Sequence, residues 1–267
     1  MPPAPDNIQR ALTRAKQNIL RALVSESLAV NRKDGSVLIR IPGGEYEMGD
    51  GKEESCPKHK VWVSEYWVGV YCVTNGQYAR FIKETGHRAP DKADYGEAVW
   101  KNGACPAEKM EHPVVCVSWD DCVAYGKWAG LELPSEAQWE KACRGPLGLV
   151  YPWGGDWEEG KKCRNDKNKG SEQTALVHSY PNGVSGYGSY QQSGNVWEWC
   201  ADWYDSDYYK KSPARDPRGP ETGSFRVYRG GSWWGGDASI FRGAFRYIYV
   251  PGDRVVSQGF RLVRNSP

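Results

Sequence analysis

The chain has 267 residues, and its 35 lysines and arginines nearly balance 33 aspartates and glutamates, for a formal net charge of +2. A balance this close gives no electrostatic reason to expect a nucleic-acid partner or an acidic membrane surface. The mean hydropathy is low at -0.70. However, 13 tryptophans and 16 tyrosines supply apolar area, and 31 glycines and 17 prolines predict a compact fold with many turns.

The cysteines and histidines form no zinc or thioredoxin-like motif, since eight cysteines include no Cys-x-x-Cys and only four histidines are present. Because the first residues lack the apolar core of a secretory signal, we expect a cytoplasmic protein, with surface delivery by another route left open. In that compartment the cysteines are expected to be free and buried, although an even number also permits disulfides. An apolar run of about 18 residues is absent, so no membrane insertion is expected.

The first segment has the periodicity of an amphipathic helix. Its apolar residues recur at steps of three and four, at Ile8, Leu12, Ala15, Ile19 and Ala22. This pattern predicts a helix over residues 7–28, which either packs on its own domain or self-associates as a short coiled coil. Residues 31–35 are predicted to form a turn-rich linker. We therefore divide the chain into an N-terminal helical extension with its linker, residues 1–34, and one domain over residues 35–267.

Short strands and helices follow. Alternating and β-branched residues predict strands at 37–41, 61–63 and 66–70. Cap-like Thr74 and Ser135 open helices predicted at 74–82 and 135–143, and a run with its apolar residues on one side predicts a helix at 120–128. Residues 145–194 have almost no periodicity. A loop of this length needs something specific to hold it, such as a metal, buried tryptophans, or side chains bonded to the backbone.

Eight motifs occur in a fixed order: IPGGEYEMG from residue 41, VTNGQYARF from 73, HPVVCVSWDD from 112, LPSEAQWEKA from 133, YPWG from 151, GNVWEW from 194, RGGSW from 229 and GFRLV from 259. Together they resemble the sulfatase-modifying-factor, or formylglycine-generating-enzyme, family. The resemblance implies an α+β fold, a loop-rich variant of the C-type lectin fold with small antiparallel sheets and a few helices. The helix predicted over residues 7–28 lies outside it.

The oxidase members of this family carry a cysteine pair between RGGS and the terminal GFR, and that pair binds copper. This chain has no cysteine after Cys200, and Gly243 and Ile240 fall at or near the places where the pair would stand. An iron-dependent branch needs a histidine-rich helical bundle that a 34-residue extension without histidine does not provide. We therefore expect no copper, assign no catalytic residue, and predict that the chain is not an enzyme.

Within the family, the C-terminal pattern most resembles the variable proteins of diversity-generating retroelements, which display a diversified surface in the region corresponding to residues 226–264. The resemblance implies a non-enzymatic ligand-binding protein, and the alternative is an oxidase or enzyme-accessory protein that uses the same cleft. A weaker alternative is a structural or signalling module that docks through the helix of residues 7–28. The ligand would be an unknown protein or other macromolecule. The predicted ligand-binding positions are Trp234, Gly235, Gly236, Ser239, Ile240, Phe241, Phe245, Tyr247, Ile248, Tyr249, Val250, Val255, Val256 and Ser257. The alternative for these side chains is that they pack inward under loops.

Family members also bind calcium, an ion that takes six to eight oxygen ligands. The resemblance implies a structural Ca²⁺ with candidate ligands Asn165, Asp166, Gln191, Asn195 and Glu198. The alternative is that Asn195 and Glu198 bond loop backbone. Arginines 242, 246 and 254 are expected to be scaffold groups beneath the variable positions rather than anion binders.

Overall fold

The computed structural model describes residues 27–171 and 173–266. The helix predicted over residues 7–28 therefore lies outside the described residues, apart from Ser27 and Leu28. Leu28 already belongs to strand β1, Leu28–Val30, which pairs antiparallel with β2, Val37–Ile41. Residues 31–35, predicted as a linker, instead form the turn of this hairpin, closed by Asn31 and Asp34.

Three small sheets make up the β structure. The first has the strand order β1-β2-β5-β10, with β5 at Tyr66–Gly69 and β10 at Val263–Asn265. The second pairs β3, Gly44–Met48, with β4, His59–Val63. The third has the order β8-β7-β6-β9, with β6 at Trp197–Trp203, β7 at Arg226–Arg229, β8 at Tyr247–Tyr249 and β9 at Gln258–Gly259. Only the pairing of β6 with β9 is parallel within this third sheet.

The three predicted helices are present. They are α1, Asn75–Thr85, α2, Trp119–Ala129, and α3, Glu136–Arg144, followed by a short α4, Tyr208–Lys211. Each long helix opens with a full capping box, on Thr74, Ser118 and Ser135 respectively. The helices and sheets confirm the predicted α+β class.

Aromatic residues from both halves of the chain meet in the largest hydrophobic core. Tyr78, Phe81 and Tyr125 from the first two helices meet Trp199 and Phe260 from the C-terminal half. All eight cysteines are free and all but Cys105 are buried, as expected. Among the described residues, no helix combines the length and the apolar character that a membrane span requires.

The long loop of residues 145–194 is held largely by side chains that bond its own backbone. Arg164 donates to the carbonyls of Gln173, Asn168 and Lys169, and Asn168 bridges the carbonyls of Gly160 and Cys163. Buried Tyr151 and half-buried Trp153 and Trp157 also pack against one another within the loop. Of the three means predicted for the loop, side chains bonded to the backbone are therefore present, whereas its tryptophans are half-buried rather than buried.

Candidate functional site

The segment between β7 and β9 is anchored from below by buried arginines. Arg229 donates to Glu136 Oε1 at 3.0 Å and Glu140 Oε2 at 2.6 Å, and to the carbonyls of Gly243 and Ala244. Its side chain is fully buried. One guanidinium thus joins helix α3 to the middle of the C-terminal segment.

Arg246 completes this anchor on the other side of Glu136. Its Nε and Nη2 lie 2.8 and 2.9 Å from the two oxygens of that carboxylate. Burial alone would raise the pKa of Glu136, but Arg246 and Arg229 outweigh it and hold the pKa below its usual value. Glu136 is therefore ionised and shared by two arginines, so the segment cannot move without separating buried charges.

Arg261 fixes the end of the segment in the same way. It forms a two-pronged pair with Glu198, with nitrogen–oxygen distances of 2.6 and 2.7 Å, and both side chains are fully buried. Trp139 adds a third bond to this carboxylate at 2.7 Å. The arginine also donates to the carbonyls of Gly69 and Tyr190. The motifs GFRLV and GNVWEW thus each contribute one residue to the same buried ion pair.

The arginines that we expected to be scaffold groups are bonded accordingly. Arg246 is the anchor described above, and Arg242 pairs with both Asp50 and Glu53. Arg254 lies nearer the surface, 3.3 Å from Asp121.

A possible metal-ligand set lies beside Arg242. Within the described ranges, Asp50, Glu53 and Cys56 form the one group of histidine, cysteine and acidic ligands whose atoms lie within 4.8 Å of one another. Burial raises the pKa of the Cys56 thiol to about 12, so this sulfur is not a thiolate. Arg242 already neutralises the two carboxylates. A metal ion would have to displace a buried arginine and deprotonate the thiol. The group is therefore better described as the ion-pair partners of Arg242.

The predicted ligand-binding positions divide by exposure. Trp234 is 67% exposed, Tyr247 47% and Val250 44%, and Gly236 is also exposed. The half-buried positions are Gly235, Ser239, Ile240, Phe245, Ile248, Tyr249, Val255 and Ser257. We call the exposed and half-buried positions together the C-terminal face.

Two positions do not belong to this face. Phe241 ends the helical turn Ala238–Phe241. Its side chain is fully buried and stacks on Trp157 at a ring separation of 5.0 Å. Val256 is 3% exposed and packs with Trp233, whose indole donates to the Val256 carbonyl. The prediction was wrong for both, because their partners come from loops distant in sequence.

An aromatic layer supports the centre of the face. Tyr247 stacks on Trp197 at 5.5 Å and meets Tyr228 edge-on, and Tyr228 also meets Tyr249 edge-on. Phe245 stacks beside Tyr247 at 6.1 Å. Rings with two rotatable bonds, held against a sheet, give a large contact surface at a low entropic cost.

Sequence analysis missed three residues of this region. Tyr95 is 60% exposed and its backbone pairs with Val255, so a loop from the first half of the chain borders the face. No local pattern around Tyr95 indicates this. Trp197 and Tyr228 lie under Tyr247 because β7 pairs with both β6 and β8, and this pairing has no local signal in the sequence.

The predicted calcium ligands are not all free to bind a cation. Both oxygens of Glu198 accept bonds from Arg261. Gln191 Oε1 accepts from Asn195, and Asn195 Oδ1 accepts from the backbone of Ala175 at 2.8 Å. These three residues stabilise the loop and the ion pair. Asn165 Oδ1 accepts from Lys167 N, whereas Asp166 Oδ1 is buried without a partner among the described residues.

Gly243, at or near one position of the family's cysteine pair, is closely surrounded by other side chains. A Cβ atom at Gly243 would lie 2.6 Å from Arg144 Cγ and 3.0 Å from Cys143 Sγ. Ile240 is half-buried, and its Cδ1 atom lies 2.4 Å from where a Cβ at Gly235 would be. The chain's own side chains therefore fill the volume that a thiol at residue 243 would need.

Comparison with known proteins gives the family. The model of the sulfatase-modifying factor enzyme 1-like domain matches residues 24–266. The formylglycine-generating enzyme of Streptomyces coelicolor is 36% identical, over 85% of this chain and 89% of the relative, and that of Thermomonospora curvata is 35% identical, over 84% and 92%. A mouse relative named inactive C-alpha-formylglycine-generating enzyme 2 is 30% identical over 80% of each chain.

Two solved structures share the fold. PvdO from Pseudomonas aeruginosa superposes with a TM-score of 0.75 at 26% identity, over 90% of this chain and 98% of the other. Treponema denticola variable protein 1 superposes with a TM-score of 0.71 at 23% identity, over 90% and 99%. Variable proteins and this chain therefore share a scaffold, as the C-terminal pattern predicted.

One prediction is overturned by these relatives. We expected the chain not to be an enzyme because it lacks the cysteine pair. The relatives at 35–36% identity are instead named as formylglycine-generating enzymes, which places the chain in an enzyme family. Missing ligands for one metal exclude one mechanism, not a whole class of protein. The chain belongs to the sulfatase-modifying-factor family of formylglycine-generating enzymes.

Proposed function

We propose that this chain is a formylglycine-generating-enzyme-like protein that engages a polypeptide at its C-terminal face, either as the oxidase or as an accessory to one. The observation that supports this proposal is the aromatic layer under Tyr247. Tyr247 belongs to the segment in which the family resemblance locates the catalytic chemistry of the oxidases. Clustered exposed aromatic residues on a rigid support mark binding surfaces. The relatives' names supply the expected ligand class, a polypeptide that acquires formylglycine.

The chemistry at this face differs from that of a copper–dithiolate oxidase. No cysteine follows Cys200, and the nearby thiols of Cys143 and Cys163 are buried, which raises their pKa far above the usual range. Neutral buried thiols are poor nucleophiles and poor metal ligands. An oxidase reaction here would need other groups, whereas an accessory role needs only binding and presentation of the polypeptide.

Binding and product formation separate the two roles. The purified protein is mixed with a cysteine-containing sulfatase peptide, with and without Cu²⁺, and binding, oxygen uptake and peptide mass are measured. Product with oxygen uptake supports the oxidase, whereas binding without product supports the accessory. Tyr247→Ser should weaken binding about fivefold or more, because truncating a central aromatic costs more than about 1 kcal/mol. Val30→Ser, which removes an exposed side chain on β1, is the matched control. A peptide that is neither bound nor changed contradicts the proposal.

A second candidate is that the face is diversified by a retroelement, which is compatible with either role. It is favoured by the division between buried anchors and the outward positions Trp234, Tyr247 and Val250, since such positions tolerate different side chains. A near-repeat of the DNA encoding residues 226–264, differing almost only at adenines and lying beside a reverse-transcriptase gene, is the expected finding. A neighbourhood without such a repeat would refute diversification.

Calcium remains a proposal for the central loop. The unpartnered Asp166 Oδ1 offers one ligand near Asn165 and loop carbonyls. Titration with Ca²⁺ after removal of divalent ions should raise the melting temperature, and Asp166→Asn should reduce that rise while Asp156→Asn, an exposed residue of the same loop, should not. An unchanged melting temperature would exclude a structural calcium ion.

A further inference from the structure

Strand β8, Tyr247–Tyr249, lies at the edge of the third sheet. It pairs with β7 on one side, matching Tyr247 with Tyr228 and Tyr249 with Arg226. In an antiparallel strand, successive residues direct their backbone N–H and C=O groups to opposite sides. Either Ile248 or both flanking tyrosines therefore point these groups away from β7. No segment among residues 27–171 and 173–266 bonds to them.

The edge is short, but its three residues include no charged residue, proline or bulge. Exposed edge strands are commonly protected by a charged residue, a proline or a bulge. β8 has the sequence Tyr-Ile-Tyr, pairs in regular register, and is followed by Val250 before Pro251. An incoming strand would find open backbone groups and no charged side chain within β8 itself.

Side chains beside this edge are already ordered. Tyr247 and Tyr249 share one side of the strand and both pack on Tyr228, with ring separations of 5.5 and 5.6 Å. Alternate side chains of an added strand would lie next to these rings, since residues two apart share a face. Because β8 is held by the third sheet before any ligand arrives, little entropy is lost on pairing.

The carboxylates near Tyr249 give the edge a charge preference. Asp253 lies in the turn after β8, where its amide donates to the Val250 carbonyl, and the Asp94 carboxylate accepts from the amide of the next residue, Arg254, at 2.7 Å. Both acids are thus close to the end of the strand, and after burial they also raise the pKa of Tyr249. Neither acid has a lysine or arginine partner in the described part of the chain. Asp94 accepts only from the backbone of Arg254, whose side chain is turned to Asp121.

We propose that an extended polypeptide segment carrying a basic side chain binds by adding a strand to β8. Main-chain hydrogen bonds to the open edge supply affinity, and contacts with Tyr247 and Tyr249 select the side chains. The basic group lies toward Asp94 and Asp253. This inference rests on the proposed function only in taking a polypeptide as the ligand, and it adds how that polypeptide is held.

Three capped synthetic peptides test the pairing. The first alternates threonine and valine with one central lysine, the second has glutamate in place of lysine, and the third is the lysine peptide N-methylated throughout. Amide hydrogen exchange of residues 247–249 and peptide affinity are measured. The lysine peptide should slow exchange at β8, and the glutamate peptide should bind roughly twofold to fivefold more weakly, the range for an exposed charge pair. The N-methylated peptide should not bind, because it cannot complete the ladder.

Two variants check the charge preference. Asp94→Asn with Asp253→Asn should remove the difference between the lysine and glutamate peptides. Asp237→Asn, which changes an exposed acid of the same face whose cap to Ser239 an amide can keep, should preserve the difference. A preference that survives the double substitution would refute the role given to these two acids.

Other outcomes overturn strand addition itself. Equal binding of the N-methylated peptide would mean docking through side chains, and slowed exchange only outside residues 247–249 would place the ligand elsewhere. Slowed exchange at β8 that depends on protein concentration without peptide would identify a second copy of the chain as the occupant. Failure of all three peptides refutes strand addition.

If a sulfatase peptide still binds in a Tyr247-dependent way with unchanged β8 exchange, strand addition fails while the proposed function stands. Loss of that binding as well refutes both.

Discussion

The C-terminal segment contains two kinds of position that differ in burial and in partners. Arg229, Arg246 and Arg261 are buried and each bonds carboxylates and carbonyls from distant parts of the chain. Trp234 and Tyr247, a few residues away, are largely exposed. The residues that anchor this short segment are therefore distinct from its exposed residues, and the exposed residues can change at little cost to stability.

The largest expected effect is on the buried anchors. Arg261→Met leaves the fully buried Glu198 without the cation that bonds both of its oxygens and should lower the free energy of unfolding by about 3–5 kcal/mol, the usual cost of an orphaned buried charge. Urea denaturation measures it. Arg254→Met is the control, because this arginine is partly exposed and should cost no more than about 1 kcal/mol. Equal losses in the two variants would contradict the division between anchors and surface.

A cysteine placed at residue 243 should also destabilise the protein. In Gly243→Cys the new Cβ would lie 2.6 Å from Arg144 Cγ, and such overpacking costs about 1–3 kcal/mol. Gly252→Cys is the matched control, since nothing lies within 4 Å of a Cβ there. Thermal melting of both variants checks this, and a Gly243→Cys protein as stable as the Gly252→Cys protein would show that the site has room for a thiol.

The buried carboxyl of Asp202 predicts a pH dependence of stability. Burial and then Glu136 raise its pKa from the ordinary 3.8 to about 8. A raised folded-state pKa means that this group's contribution is complete at low pH and is lost as the pH rises toward 8. Asp202→Asn, which keeps an acceptor for the Glu136 amide, should therefore stabilise the protein more at pH 8 than at about pH 5. Melting temperatures at both pH values measure this difference, with Asp156→Asn as an exposed control. An equal shift at both pH values would contradict the titration of Asp202.

The smallest effect is expected at the exposed positions. Trp234→Ser and Val250→Ser should each change the free energy of unfolding by about 0.5 kcal/mol or less, as surface substitutions do. Phe241→Ser, in the same segment but fully buried, should cost several times more. Denaturant midpoints compare the three variants. A large loss for Trp234→Ser would mean that its ring supports the fold.

Local sequence chemistry predicted much of the fold. The first and third helices were visible because Thr74 and Ser135 are followed three residues later by side chains that complete a capping box. The second was visible from its apolar side, although its cap on Ser118 was not predicted. Strand β1 was not predicted, because the run ending in Val30 suits a helix or a strand until its pairing with β2 decides. Phe241 and Tyr95 illustrate the remaining limit. Phe241 packs against Trp157, and Tyr95 is placed beside Val255 by a backbone pairing. Both contacts join residues far apart in sequence, so only the folded chain shows them.

Strand β10 has a consequence for how the protein is made. It closes the first sheet against β5 by pairing Val263 with Val68, and Arg261 just before it neutralises Glu198. Until residues 258–265 have left the ribosome, β5 keeps an open edge and Glu198 lacks its cation. The native domain therefore forms only after almost the whole segment has been translated, with long-range contacts made last and slowly. A chain that stops early should fail to fold and be degraded, so any folded copy presents a complete C-terminal face.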